Sequence, residues 1–184
     1  MDAAILLRIH AFASPFLDRF FTLSHYIGLL PLFVVLVLGM ASFHLAQGRS
    51  GRALLWTSLG LLVLGSMELL KLAVKRTRPA LFPRIVAQGG FSFPSGHALA
   101  SAAIYPLLAF ELGERWGEHK KLFLALAVLG SAWLGVGRLY LGVHWPSDVL
   151  GGWIIGGLEG VAARAAARQI LGGERATAAP RESD

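Results

Sequence analysis

A chain of 184 residues with 55% hydrophobic and only 15% charged side chains, at a mean hydropathy of +0.60, is too apolar for a water-soluble domain and reads as one all-α unit embedded in a membrane. Its net charge of +6 is clustered between apolar runs and is not interleaved with aromatics along a polar face, which excludes nucleic acid and favours anionic lipid or phosphate as a partner. Cysteine is absent, so disulfides, thiolate metal sites and a cysteine nucleophile are excluded.

The first apolar run carries Asp2 and Arg8 and lacks the basic-then-apolar order of a cleavable signal peptide. Ser14-Pro15 joins a good N-cap to a good first helical residue. Beyond it Phe16, Leu17, Phe20, Phe21 and Ser24 share a face that Asp18, Arg19 and Thr22 avoid, which predicts a helix lying in the membrane interface. Tyr26 to Ala46 is the first expected span, close to the roughly 20 residues a bilayer requires. After a basic loop, Ala53 to Leu70 is the second; its Glu68 requires a partner or water. Lys71 to Pro94 holds Lys71, Lys75, Arg76, Arg78 and Arg84 with no acid, so an anion is expected there.

Phe91 to Phe110 is a third apolar run, broken only by His97 after a Pro94-Ser95-Gly96 turn that can start a helix. Glu111 to Lys121 reads as a mixed-charge loop, and Leu122 to Gly137 as a fourth span ended by Arg138. A fifth begins near Pro146 and carries Gly152, Gly156 and Gly160 at four-residue spacing, which lets helices approach closely in lipid. Glu159 in this helix reads as a buried carboxylate satisfied by a neighbouring helix. The expected architecture is a membrane-embedded bundle over 1–171, about five transmembrane helices plus an N-terminal interfacial helix, with a disordered polar tail over 172–184.

Three polar clusters interrupt this apolar chain. In the first, Lys71 and Arg78 are seven apart, two helical turns, and project from one face if the helix runs on to Pro79. In the second, amides of Ser95 and Gly96 at a helix start can face an anion, and His97 lies where it can give a proton to a leaving oxygen. In the third, Arg138 offers a fork of donors matched to phosphate. Four residues after His144, Asp148 can hold one imidazole nitrogen and leave the other to attack. Each cluster alone is explained by snorkelling, a basic flank or a helix cap. Counting crossings puts all three on one membrane surface, where those separate explanations no longer suffice.

With Lys71…Arg78-Pro79, Pro94-Ser95-Gly96-His97 and Arg138…His144…Asp148 in hand, the sequence resembles the type-2 phosphatidic acid phosphatase superfamily, the lipid phosphate phosphatases. The resemblance implies that His144 attacks phosphorus to form a phosphohistidine, with Asp148 orienting it, and that His97 protonates the leaving oxygen. Lys71, Arg78 and Arg138, with Ser95 and Gly96, would bind phosphate. No metal or other cofactor is implied. The family's usual serine before the third-cluster arginine is Gly137 here, and Ser95 is a candidate replacement for its hydroxyl.

A phosphorylated lipid is the expected partner, with no obligate protein partner evident. Lys75, Arg76 and Arg84 read as spare bases for a second phosphate, which favours undecaprenyl diphosphate; phosphatidylglycerophosphate, or phosphate transfer to another lipid, is the alternative. The basic residues at the opposite end place the C-terminus in the cytoplasm of a bacterial inner membrane and the site outside it.

Overall fold

The computed structural model describes residues 1–178, with side chains through Ile170. All its regular structure is helical: α1 (Asp2–His10), α2 (Pro15–Ile27), α3 (Leu30–Ala46), α4 (Ser50–Val74), α5 (Gly96–Arg115), a short 3-10 turn (Gly117–His119), α6 (Lys120–Tyr140) and α7 (Pro146–Ala178). Helix α7 continues past Gly172, where the sequence suggests the polar tail begins; residues 179–184 lie outside the described region.

Helix α2 starts as its sequence predicts, with Ser14 Oγ accepting from the Leu17 amide at 3.4 Å and Pro15 in the first turn. Tyr26 and Ile27 finish this helix and do not open the first span, because Gly28 caps α2 and α3 restarts at Leu30 with Pro31 in its first turn. Together α2 and α3 are apolar enough to cross a membrane, bent by 45° at this break. Among the described residues, Ser50–Val74 and Gly117–Tyr140 are also long and apolar enough to cross.

Helix α5 is central, packed along α6 on one side and α7 on the other. Its small residues Ala98, Ala100 and Ala103 are buried, and the seam with α7 is made by the predicted glycines. A Cβ at position 152 would lie 2.8 Å from the Ser95 carbonyl oxygen, at 156 it would lie 2.1 Å from that of Leu99, and at 160 it would lie 2.9 Å from that of Ala103. The obstacle is backbone and cannot turn aside. Gly156→Val should therefore lower stability by about 3 kcal/mol, the upper range for overpacking a tight interface. Thermal denaturation of the detergent-solubilised protein checks this; an unchanged midpoint would disprove the seam.

Helix α5 extends through Glu111 to Arg115, a segment the sequence reads as loop. Glu111 stays inside because its oxygens are held, Oε2 by His44 Nε2 at 2.8 Å and Oε1 by the Trp56 indole N–H at 2.9 Å. Away from these polar contacts, side chains such as Leu61, Leu69, Val128 and Leu158 face outward and form the lipid-facing belt.

Candidate active site

The three clusters meet at one end of the bundle. His144 lies in the connection between α6 and α7, which turns at Gly142 with φ +70 against the Phe82 ring, where a Cβ would lie 2.6 Å from ring carbon. Its Nε2 faces Arg78 Nη1 at 3.0 Å. A guanidinium can only donate, so Nε2 carries a lone pair and the proton resides on Nδ1. Nδ1 faces Asp148 Oδ2 at 3.6 Å, an ion-pair separation longer than a hydrogen bond. The expected His144–Asp148 pairing thus exists, but more loosely than a direct bond.

Asp148 is fixed from elsewhere. It is fully buried in the first turn of α7, where Oδ2 accepts from the Trp145 amide at 2.8 Å and Oδ1 from Arg76 Nη1 at 2.7 Å. Arg76 also donates to Asp2 Oδ2 at 2.7 Å and to Ser147 Oγ at 2.6 Å, and Ser147 Oγ donates to the same Asp2 carboxylate. The anion expected opposite the basic 71–94 segment is therefore partly internal, supplied by Asp148 and Asp2. Arg76 is not spare. Neither is Arg84, whose Nε and Nη2 both donate to the Pro79 carbonyl, at 3.0 and 2.8 Å.

Helix α4 stops at Val74 because Lys75 takes a left-handed conformation (φ 50), four residues short of Arg78. The expected eclipse of Lys71 and Arg78 on one helix face does not occur. Lys71 Nζ instead donates to Glu68 Oε1 at 2.9 Å, which gives Glu68 its partner. Arg78, in the loop after α4, ties two loops together: Nη1 also donates to Val143 O at 2.7 Å and Nη2 to Phe91 O at 2.9 Å. Burial, with Arg84 nearby, pushes this guanidinium down to about 10, which leaves it charged at neutral pH.

Arg138 ends α6 fully buried; Nη1 donates to His25 Nδ1 at 2.8 Å, while Nε and Nη2 have no protein partner. Ser95 is likewise fully buried, and its Oγ is unpartnered. Its amide is not available to an anion as the sequence suggests, since it donates to the Asp148 carbonyl at 3.0 Å. Gly96 packs against Met67, where a Cβ would lie 2.6 Å from Sδ and oblige that side chain to shift. His97, in the first turn of α5, lies within the electrostatic reach of Arg138 and His144, and its Nε2 donates to the His25 carbonyl at 3.2 Å. Buried donors without acceptors are costly, so the orphaned nitrogens of Arg138 and the Ser95 hydroxyl mark a place fit for an anion.

The missing serine at 137 has a structural counterpart. A Cβ on Gly137 would lie 2.2 Å from Ser24 Oγ, so Ser24 of α2 fills the space a serine there would need; its hydroxyl donates to Phe21 O at 2.6 Å. Three residues of this site carried no catalytic signal in the sequence: His25 and Asp2 lie on amphipathic N-terminal helices, and Arg76 is one base among five.

Residues 52–169 match the PAP2 superfamily. Phosphatidylglycerophosphatase B of Bacillus subtilis (strain 168) is 35% identical over 165 residues, 84% of this chain and 74% of the relative. An undecaprenyl-diphosphatase of Sulfolobus acidocaldarius is 35% identical over 68 residues, covering 36% of this chain and 29% of the relative. The crystal structure of a transmembrane PAP2-type phosphatidylglycerolphosphate phosphatase from Bacillus subtilis superposes with a TM-score of 0.80 at 30% identity, covering 92% of this chain and 85% of that one. Aquifex aeolicus LpxE superposes with a TM-score of 0.66 at 25% identity, covering 89% and 94%. With more than half its length matched to that family and a relative aligned along most of both chains, this protein belongs to the PAP2 superfamily.

Proposed function

We propose that this protein is an integral membrane lipid phosphatase that removes the terminal phosphate of a glycerophospholipid phosphate, phosphatidylglycerophosphate first, through a phosphohistidine on His144. The observation that carries the reading is the state of His144: its lone pair lies on Nε2, facing Arg78 and within the electrostatic reach of the buried Arg138, which has two unpartnered donors. In the first step the Nε2 lone pair attacks phosphorus and the P–O bond to the lipid breaks, while Arg78 moves its donor from the imidazole nitrogen to a phosphate oxygen. With the anionic phosphate beside it His97 acts in its doubly protonated form: Nε2 keeps the proton it donates to the His25 carbonyl, and Nδ1 gives the second proton to the departing oxygen. The phosphorylated ring keeps its Nδ1 proton and is cationic, and Asp148 stabilises that charge. Water then attacks phosphorus, giving its proton to His97, and cleavage of the N–P bond releases inorganic phosphate. Throughout, Arg138, Arg78 and the Ser95 hydroxyl neutralise the equatorial oxygens.

The choice of substrate rests on two observations. The phosphatidylglycerophosphatase relative aligns along most of this chain, whereas the undecaprenyl-diphosphatase match covers about a third. Of the three bases expected to hold a second phosphate, Arg76 and Arg84 are bonded internally, which leaves the exposed Lys75 alone. The arginines and lysines at the other end of the bundle, such as Arg49, Arg115 and Lys120, support a cytoplasmic location for that end and an extracytoplasmic site in a bacterial inner membrane.

The test is phosphate release by purified protein in detergent with EDTA present. Phosphatidylglycerophosphate should exceed undecaprenyl diphosphate by about tenfold in kcat/KM, ~1.4 kcal/mol of transition-state stabilisation. The reverse order would restore the diphosphate substrate, phosphate appearing on an added lipid acceptor would indicate transfer, and loss of turnover with the chelator would overturn the mechanism.

A further inference from the structure

Helix α2 lies outside all three polar clusters, yet its last turn is built into the site. Ser24 fills the hollow over Gly137, one residue before Arg138, and so docks this turn against the end of α6. The next residue, His25, is then in contact with two members of the site at once. Its Nδ1 accepts from Arg138 Nη1 at 2.8 Å, and its main-chain carbonyl accepts from His97 Nε2 at 3.2 Å. The rings of His25 and His97 stack with centroids 5.9 Å apart and planes 12° from parallel. Because the arginine can only donate, Nδ1 of His25 carries a lone pair and the imidazole is neutral.

We propose that His25 is a positioning residue of the phosphatase site, holding the Arg138 guanidinium through Nδ1 so that Nε and Nη2 are aimed at the phosphate. Arg138 has no other protein acceptor among the described contacts, so its planar fork is oriented from one corner, leaving two nitrogens unpartnered. A buried arginine anchored at one corner is pre-organised: the ordering has been done before the anion arrives. Removing the anchor leaves the charge in place and frees its direction. The His25 carbonyl meanwhile commits His97 Nε2 and leaves Nδ1 for proton transfer, which a side-chain replacement does not disturb.

The inference rests on the lipid phosphatase reading, and its test separates the two. His25→Ala, His25→Asn, Arg138→Ala and the His25→Ala/Arg138→Ala pair are purified in detergent as full chains. Each is assayed for phosphate release from phosphatidylglycerophosphate and for inorganic phosphate affinity by calorimetric titration. Asparagine is the informative replacement, because its Oδ1 occupies the position of Nδ1 and accepts the same hydrogen bond. His25→Ala should weaken phosphate binding and lower kcat/KM by about tenfold, His25→Asn should recover most of both, and His25→Ala should add nothing to Arg138→Ala.

Wild-type behaviour in the alanine variant, asparagine as impaired as alanine, or losses that multiply in the pair would each overturn the proposal. Should alanine fail to fold, the asparagine variant decides: near-wild-type affinity supports the anchor, and a tenfold loss refutes it. If the wild-type protein turns over no lipid phosphate, the phosphatase reading fails, and the phosphate titration still judges whether His25 orients Arg138.

Discussion

Replacing His144 with alanine lowers phosphate release by about a thousandfold or more, a barrier increase of at least ~4 kcal/mol, because the proposed mechanism gives the attack on phosphorus to this imidazole. The variant should fold, since the imidazole makes one hydrogen bond with another side chain, from Arg78, which keeps its bonds to Val143 O and Phe91 O. Wild-type protein quenched during turnover of labelled substrate should carry an acid-labile phosphoryl group that the variant lacks. Undiminished turnover by His144→Ala would end the phosphohistidine mechanism. The same residue sets the low-pH limit. His144 lies in the loop between helices, where burial, with Arg78 and Arg138 adding to it and Asp148 opposing it, pushes its pKa down to about 4. Only the neutral ring attacks. Activity should therefore persist as pH falls through about 6.5, where a free imidazole takes its proton, and decline as pH approaches 4. A limb centred near the free-imidazole value would show that His144 is not held in this buried setting.

Gly28→Ala is the second large effect, and it separates fold from chemistry. Gly28 has φ −90, a conformation open to any residue, so alanine meets no backbone penalty. Its Cβ, however, would lie 2.2 Å from His97 Cδ2 and 2.9 Å from His97 Nε2. The imidazole is the free end of a side chain and can rotate away, so the bundle should keep its melting temperature within a few degrees. The displaced ring loses the His25 carbonyl and its aim at the leaving oxygen. A shift of about 1 Å in a catalytic group costs on the order of 100-fold, so kcat should fall by that factor. Wild-type kcat in the folded variant would mean that His97 takes no part in proton transfer.

The convergence of the clusters was legible in the sequence because each is polar chemistry that lipid would otherwise reject, and because helix counting puts the three on one surface. Pro146 and Asp148 fall in the first turn of α7, as their types require, and the four-residue glycine spacing forecasts the seam with α5. What escaped was decided by tertiary partners. Lys75 enters the left-handed region in a sequence that otherwise favours continued helix, and this separates Lys71 from Arg78. Arg76 looks like any base until Asp148 and Asp2 are found beside it. Glu111 looks like loop because its charge is visible in the sequence, while His44, 67 positions away, is not recognisable as its partner. His25 sits on a helix whose amphipathicity is explained by the interface alone, so nothing in its pattern asks for a further role.

The bond network around Arg76 also bears on how the protein matures. Asp2 and Ser147, separated by 145 positions, close on the same guanidinium. Helix α1 must therefore wait in the bilayer for α7 before Arg76 is held from both sides, and a nascent chain stalled before α7 lacks Asp148, the carboxylate beside His144, altogether. Competence would then arise in a single late event of biogenesis, and no partly synthesised intermediate would attack the lipids around it.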